Sequence, residues 1–166
     1  MIPACVPEVM NELQILSLEI ERMPKQMWQE FGNTAEYPYM SVSSPSTHDM
    51  SNLRVWWCED AARTQRYYNE VMGCEGEAPS ECTPEICRWL LKRQLNARSM
   101  LVVVPLQDWL SMSGELRRAD AAAERINVPA NPDQYWRYRM HLTLEELLAA
   151  DGFNAELRSL IAESGR

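Results

Sequence analysis

Met100-Leu101-Val102-Val103-Val104 places five apolar residues in a row, followed at once by Pro105-Leu106-Gln107-Asp108. A strand with one wet face alternates apolar and polar residues. An unbroken run is the pattern of a strand buried on both faces, as in parallel α/β sheets. Upstream, Leu16-Ser17-Leu18-Glu19-Ile20-Glu21-Arg22 does alternate, the period of a strand, and Arg22-Met23-Pro24-Lys25 ends it. Tyr39-Met40-Ser41-Val42 is a shorter candidate that gives out at Ser43-Ser44-Pro45-Ser46-Thr47-His48-Asp49.

Helical patterns fill the spaces between these runs. Pro7-Glu8 opens a short helix through Ile15, since proline suits the first helical position and an acid suits the N-terminus. Residues 26–38 hold Trp28, Phe31, Gly32, Asn33 and Pro38 and read as a loop or a broken helical turn. From Asn52 to Met72, Leu53, Trp56, Trp57, Ala61, Tyr67, Tyr68, Val71 and Met72 recur at threes and fours; Gly73 closes that helix. Residues 74–82 form an acidic loop, and Thr83-Pro84-Glu85 starts a helix running to about Ala97. A short helix over Leu106–Met112, a loop over Arg125–Asp133 and helices from Thr143 and over Asn154–Glu163 complete the chain. Strands separated by helices imply parallel pairing with right-handed crossovers. A closed (β/α)8 barrel needs eight strands and about 250 residues, so three strands cannot close one.

At 166 residues the chain has the size of one domain, 1–166, with no separate linker. An apolar share of 46% with a mean hydropathy of -0.39 reads as soluble and globular. No run approaches the roughly 18 apolar residues of a membrane span. Met1–Pro7 lacks the basic and apolar regions of a signal peptide, so the expected location is cytoplasmic, away from membranes. The net charge of -8 disfavours nucleic acid, whose binding rests on Lys and Arg. It suits a neutral substrate such as a carbohydrate, or simply a solvated acidic surface. Five cysteines without a CxxC pair, and only two histidines, argue against structural zinc and for reduced thiols. A Cys74–Cys82 pairing across the acidic loop is the alternative.

His48-Asp49 stands where the second strand gives out, and barrel enzymes place their active groups at such strand ends. A carboxylate beside an imidazole can hold a sugar hydroxyl and stabilise developing positive charge. Asp49 could equally cap the helix that begins near Asn52.

Several segments in order carry a resemblance over essentially the whole chain. They are Leu18-Glu19-Ile20-Glu21-Arg22-Met23-Pro24, Ser46-Thr47-His48-Asp49-Met50-Ser51 with Leu53-Arg54 and Trp56-Trp57, Pro105-Leu106-Gln107-Asp108, Arg125-Ile126-Asn127-Val128-Pro129, Trp136-Arg137-Tyr138-Arg139-Met140 and Ser164-Gly165-Arg166. Together they resemble the C-terminal part of the 4-α-glucanotransferases, the amylomaltase or disproportionating-enzyme family, in particular the type that transfers glucosyl units from maltose. The resemblance implies an α/β fold that is the C-terminal portion, about three βα units, of a modified (β/α)8 TIM barrel and not a complete barrel. It implies a retaining enzyme acting on maltose and maltodextrins with glucose or a glucan as acceptor, without metal or organic cofactor. Asp49 matches the family's transition-state-stabilising carboxylate and His48 the histidine beside it. Asn127 matches a substrate-contacting segment, although loop asparagines also form turns.

The family's nucleophilic Asp and acid/base Glu match nothing here, because the resemblance puts Met1 a few residues beyond that Glu. The chain alone is then expected to be inactive, to need the N-terminal part of the same barrel, and to self-associate through its open edge. The rival expectation is a non-catalytic carbohydrate-binding or scaffold module derived from that enzyme. Arg22 is expected either to position an active-site carboxylate or to form a structural ion pair. Trp28 and Phe31 are candidates for stacking on glucose rings. Gln107 and Asp108 either line the working face or cap the following helix. Trp56, Trp57, Trp89 and Trp109 read as packing residues and Trp136 as a brace. Glu19 and Glu21 carry no motif that supports a catalytic role.

Overall fold

A computed structural model describes residues 3–166. Three short strands, β1 (Ser17–Glu19), β2 (Ser41–Ser43) and β3 (Leu101–Val102), form one parallel sheet in the order β1-β2-β3. Leu18 pairs with Val42 and Val42 with Leu101, so these three apolar side chains share one face. The opposite face carries Ser17, Glu19, Ser41 and Ser43. Helix α4 (Pro84–Leu95) lies over that polar face, where the Ser43 hydroxyl donates to Gln94 Oε1 at 2.6 Å. Small serines let the helix approach closely, and each buried hydroxyl finds a partner: Ser41 Oγ is 2.7 Å from Ser99 Oγ. Among the described residues the apolar face has no such cover; Leu18 and Leu101 are about half exposed, at 50% and 48%.

The strands are shorter than the sequence pattern suggests. Ile20 to Arg22 leave the sheet, and Gly32 N–H reaches back to the Glu21 carbonyl at 2.6 Å. Helix α1 (Val6–Glu12) stops before Ile15 because Gln14 takes a left-handed φ of 54°, a conformation that ends helices. Between β1 and β2 lies no α-helix, only a 3-10 turn over Thr34–Glu36. The first crossover is therefore a loop, and of the about three βα units expected only those of β2 and β3 carry a helix.

The long helix expected from Asn52 to Met72 is divided. Helix α2 (Leu53–Glu59) ends at Asp60, whose extended backbone (φ -148°, ψ 100°) lets its carboxylate cap α3 (Ala61–Arg66) by accepting from Arg63 N–H at 2.9 Å. A π-helical turn over Tyr67–Val71 follows. This π turn sets the Tyr67 ring edge-on to Phe31, Trp56, Trp57 and Trp89, with centroids 4.9–6.5 Å apart, the preferred geometry of aromatic pairs. Around that ring, Leu53, Leu90, Leu91, Leu110 and Met112 complete the core.

Helix α5 (Leu106–Leu110) follows β3 directly, and α6 (Leu144–Ala149) opens with a capping box between Thr143 and Glu146. Helix α7 (Asp151–Glu163) packs on α4 through Phe153 and Leu160. Beyond it, the Arg166 guanidinium donates to the carbonyls of Leu95, Ala97, Ser99 and Met100, the turn between α4 and β3. Among the described residues no helix is long and apolar enough to cross a membrane.

Candidate functional site

The loop from Ser44 to Ser51 leaves the C-terminal end of β2 and is tied down along its length. The Ser44 hydroxyl donates to the Ser46 carbonyl at 2.6 Å, and the Ser46 hydroxyl donates to Asp108 Oδ2. At the far end, the Arg22 guanidinium donates to the Ser51 carbonyl and lies 5.8 Å from the Trp56 ring centre. Asn52 caps α2, accepting from Val55 N–H at 3.0 Å. Asp49 is thus free of the capping role it could have had, and it projects from the loop with its side chain 52% exposed.

Two side chains hold the Asp49 carboxylate. Asn127 Nδ2 donates to Oδ1 at 2.7 Å, and His48 Nε2 lies 3.2 Å from Oδ2. Each oxygen has one partner and keeps acceptor capacity for another donor. Asn127 reaches this place because α2 carries its loop: Asn52 Nδ2 donates to the Ala121 carbonyl at 2.8 Å, and Arg54 to the carbonyls of Arg118 and Ala119 at 2.6 and 3.2 Å. The indole of Trp136 lies against the His48 ring with centroids 4.9 Å apart. It is 62% exposed. What gathers at the strand end is a fixed, wet carboxylate flanked by an imidazole, a carboxamide and an aromatic plane. Such a group can orient hydroxyls and lower the energy of positive charge developing nearby.

Two buried carboxyl groups stand behind it. Asp108 caps no residue of its own helix; it accepts from Leu53 N–H at 2.9 Å as well as from Ser46, joining the start of α2 to the loop. Burial pushes its carboxyl up from the ordinary range against the pull of those bonds and of Arg22. Glu124 is buried with neither oxygen hydrogen-bonded and with Arg54 3.7 Å away. Burial raises its carboxyl too, opposed chiefly by Arg54 and His141. Glu124, His48, Asn52 and Gln107 line a cavity of about 20 Å³, large enough for one water molecule.

Of the residues expected at the site, the structure brings His48, Asp49 and Asn127 together. Arg22 sits beneath the loop as its brace, making no ion pair among the described residues; burial lowers its guanidinium to about 10. Trp28 is 81% exposed and enters none of these contacts. Phe31 is engaged elsewhere: partly buried, it packs edge-on to Tyr67 and Trp56 against the core. Glu19 pairs with Lys25, and Glu21 accepts from Arg93 and Gln94 at 2.6 and 3.1 Å, which leaves both engaged. The sequence reading missed Trp136 as a neighbour of His48 and Asp108 as the capping group of another helix. The first had no local signal; the second was visible only as an acid just after the apolar strand.

Residues 1–144 match the family described as 4-alpha-glucanotransferase, glycoside hydrolase family 77. The chain is 45% identical over 166 residues to the 4-alpha-glucanotransferase DPE2 of Oryza sativa subsp. japonica, covering 100% of this chain and 18% of that protein. It is 26% identical over 173 residues to the 4-alpha-glucanotransferase of Chlamydia caviae, covering 98% of this chain and 31% of that one. In three dimensions it is similar to the amylomaltase from Streptococcus agalactiae solved in complex with acarbose, with a TM-score of 0.72 at 16% identity, over 100% of this chain and 30% of that chain. The chain therefore spans less than a third of the length of these relatives. With the family matched over 144 of its residues, it belongs to the 4-alpha-glucanotransferases of glycoside hydrolase family 77.

Proposed function

We propose that residues 1–166 form the C-terminal portion of the catalytic barrel of a retaining 4-α-glucanotransferase that moves glucosyl or maltodextrin units between α-1,4-glucans in maltose metabolism. The observation that carries this reading is the Asp49 carboxylate, held by Asn127 and His48 at the end of β2. In retaining chemistry one carboxylate attacks the anomeric carbon while another protonates the leaving oxygen, through an oxocarbenium-like transition state. Asp49 is the third group: it accepts from the donor sugar's hydroxyls and stabilises the positive charge. His48 and Asn127 orient it and contact the donor, Arg22 fixes the loop below, and Trp28 offers an exposed ring to a sugar. The nucleophile and the acid/base come from the rest of the barrel.

That remainder also covers the apolar face of Leu18, Val42 and Leu101, since barrel interiors are filled by such side chains. Residues 1–166 alone have no transfer activity and associate through this face and the open strand edges. The reading places the enzyme in the cytoplasm, with its substrates.

The test uses the protein that contains both this segment and the remaining barrel. Asp49→Asn is expected to lower glucosyl transfer from maltose by about 10²-fold or more while leaving the circular dichroism spectrum and the melting curve unchanged. Near-normal transfer in that variant, or turnover by residues 1–166 alone, would overturn the proposal.

A further inference from the structure

We propose that Cys82 and Cys87 form an oxidative modification site, a buried thiol pair that a peroxide converts reversibly into an intramolecular disulfide. Their sulfur atoms lie 3.3 Å apart, and all five cysteines are free thiols. Cys82 ends the acidic loop, Thr83 caps α4 by accepting from Ile86 N–H at 3.3 Å, and Cys87 N–H donates to the Thr83 carbonyl at 2.9 Å. The helix cap thus fixes both side chains on one side of the chain, pointing at each other. A disulfide requires sulfurs about 2.05 Å apart, so the pair needs a closure of only about 1.3 Å, within reach of side-chain rotation. Cys74, which the sequence offered as partner for Cys82, donates instead toward the Met72 carbonyl.

The two thiols are not equivalent. The Cys82 S–H beside it and the Ser111 hydroxyl hold the Cys87 thiol below its ordinary range against burial, with Arg117 contributing a smaller pull. The Cys87 hydrogen bond and burial hold the Cys82 thiol well above that range. Cys87 is accordingly the attacking sulfur, because the thiolate is the nucleophile. It attacks one peroxide oxygen; the O–O bond breaks, an S–O bond forms, and the departing hydroxide takes a proton to become water. The Cys82 sulfur then attacks the Cys87 sulfenic acid, breaking the S–O bond and releasing a second water with the Cys82 proton. Two thiols have lost two electrons, and one peroxide has become two waters.

The surroundings select the oxidant. Cys82 and Cys87 are both buried, at 3% and 0% exposure, which keeps bulky low-molecular-weight disulfides from the sulfurs. Hydrogen peroxide is uncharged and the size of water, and it reaches the pair when the loop end opens locally.

The experiment uses hydrogen peroxide on the purified wild-type protein and on a Cys5→Ser/Cys58→Ser/Cys74→Ser variant. Both are then alkylated in denaturant and cleaved by a Glu-specific protease, which cuts after Glu85 and separates the two cysteines. In the variant both remaining thiols should become unreactive, their peptides joined, and dithiothreitol should restore them. In the wild type the five thiols that residues 1–166 contribute should fall to three that can be alkylated. The circular dichroism of the variant must match the wild type; where it does not, the wild-type peptides decide. Alkylation of both Cys82 and Cys87 after peroxide, a Cys58–Cys82 link instead, or oxidation that stops on Cys87 with Cys82 free would each overturn the proposal.

Discussion

The Asn127 carboxamide donates to Asp49 Oδ1 at 2.7 Å across 78 residues of sequence, joining the loop after β2 to the loop ahead of α6. The bond fixes one carboxylate oxygen and leaves the other to His48. In the complete enzyme, Asn127→Ala should lower kcat/KM for maltose about 10-fold, the order of a lost charge-assisted hydrogen bond. Asn127→Asp keeps the shape but sets two carboxylates at hydrogen-bonding distance, where both cannot stay ionised. It should cost more, about 100-fold. Equal activity in the two variants would contradict the role of this bond.

Asp108 satisfies two donors that have no other partner, Leu53 N–H and the Ser46 hydroxyl. Asp108→Ala strands both in the interior, and each stranded group costs about 1–3 kcal/mol. A loss of about 2–4 kcal/mol in urea denaturation is expected, with a smaller loss for Asp108→Asn, which keeps one acceptor oxygen. Wild-type stability in the alanine variant would mean that the junction is dispensable.

Glu124 provides a test against pH. Burial raises its folded carboxyl above the ordinary 4.5, so between that value and the folded one the folded state holds the extra proton. Stability linked to this group is complete below about pH 4.5 and is lost as pH rises through the folded value. Glu124→Gln removes that dependence. The stability of the variant relative to wild type should therefore climb from pH 4 toward neutrality, read from urea midpoints at each pH. Parallel curves would show that Glu124 is not under this strain.

Arg22 donates to Ser51 and lies on the Trp56 ring at once. An ammonium group cannot do both, because the planar fork and the stacking are properties of guanidinium. Arg22→Lys should lower the melting temperature by several degrees and speed amide exchange at Asp49 to Ser51. Unchanged exchange there would refute the bracing role.

The parallel sheet was legible in the apolar run at Met100–Val104, although only Leu101 and Val102 join it. The expected burial on both faces fails, with Leu101 and Val103 48% and 57% exposed. The candidate site was legible in the acid and histidine at the end of β2. Asp60 was harder to read, because a break inside a continuous apolar stripe depends on one residue turning from helix interior to cap. Trp136 and Phe31 exchanged their expected places for a related reason. Aromatic residues in loops carry no period, so only tertiary packing decides which ring enters the core and which stands beside His48. Asn127 showed its donor and acceptor chemistry in sequence; its partner at Asp49 depended on Asn52 and Arg54 carrying the intervening loop.

Arg166 also bears on the timing of folding. Its guanidinium holds four carbonyls in the turn that leads into β3, some 66–71 residues earlier in the chain. During synthesis those carbonyls must stay hydrated until residue 166 has left the ribosome. The third strand can form its sheet bonds earlier, but its approach is locked only at that late moment. A chain interrupted before that residue would present β3 with a loose hinge, and such a hinge is where an unfinished sheet exchanges strands with its neighbours.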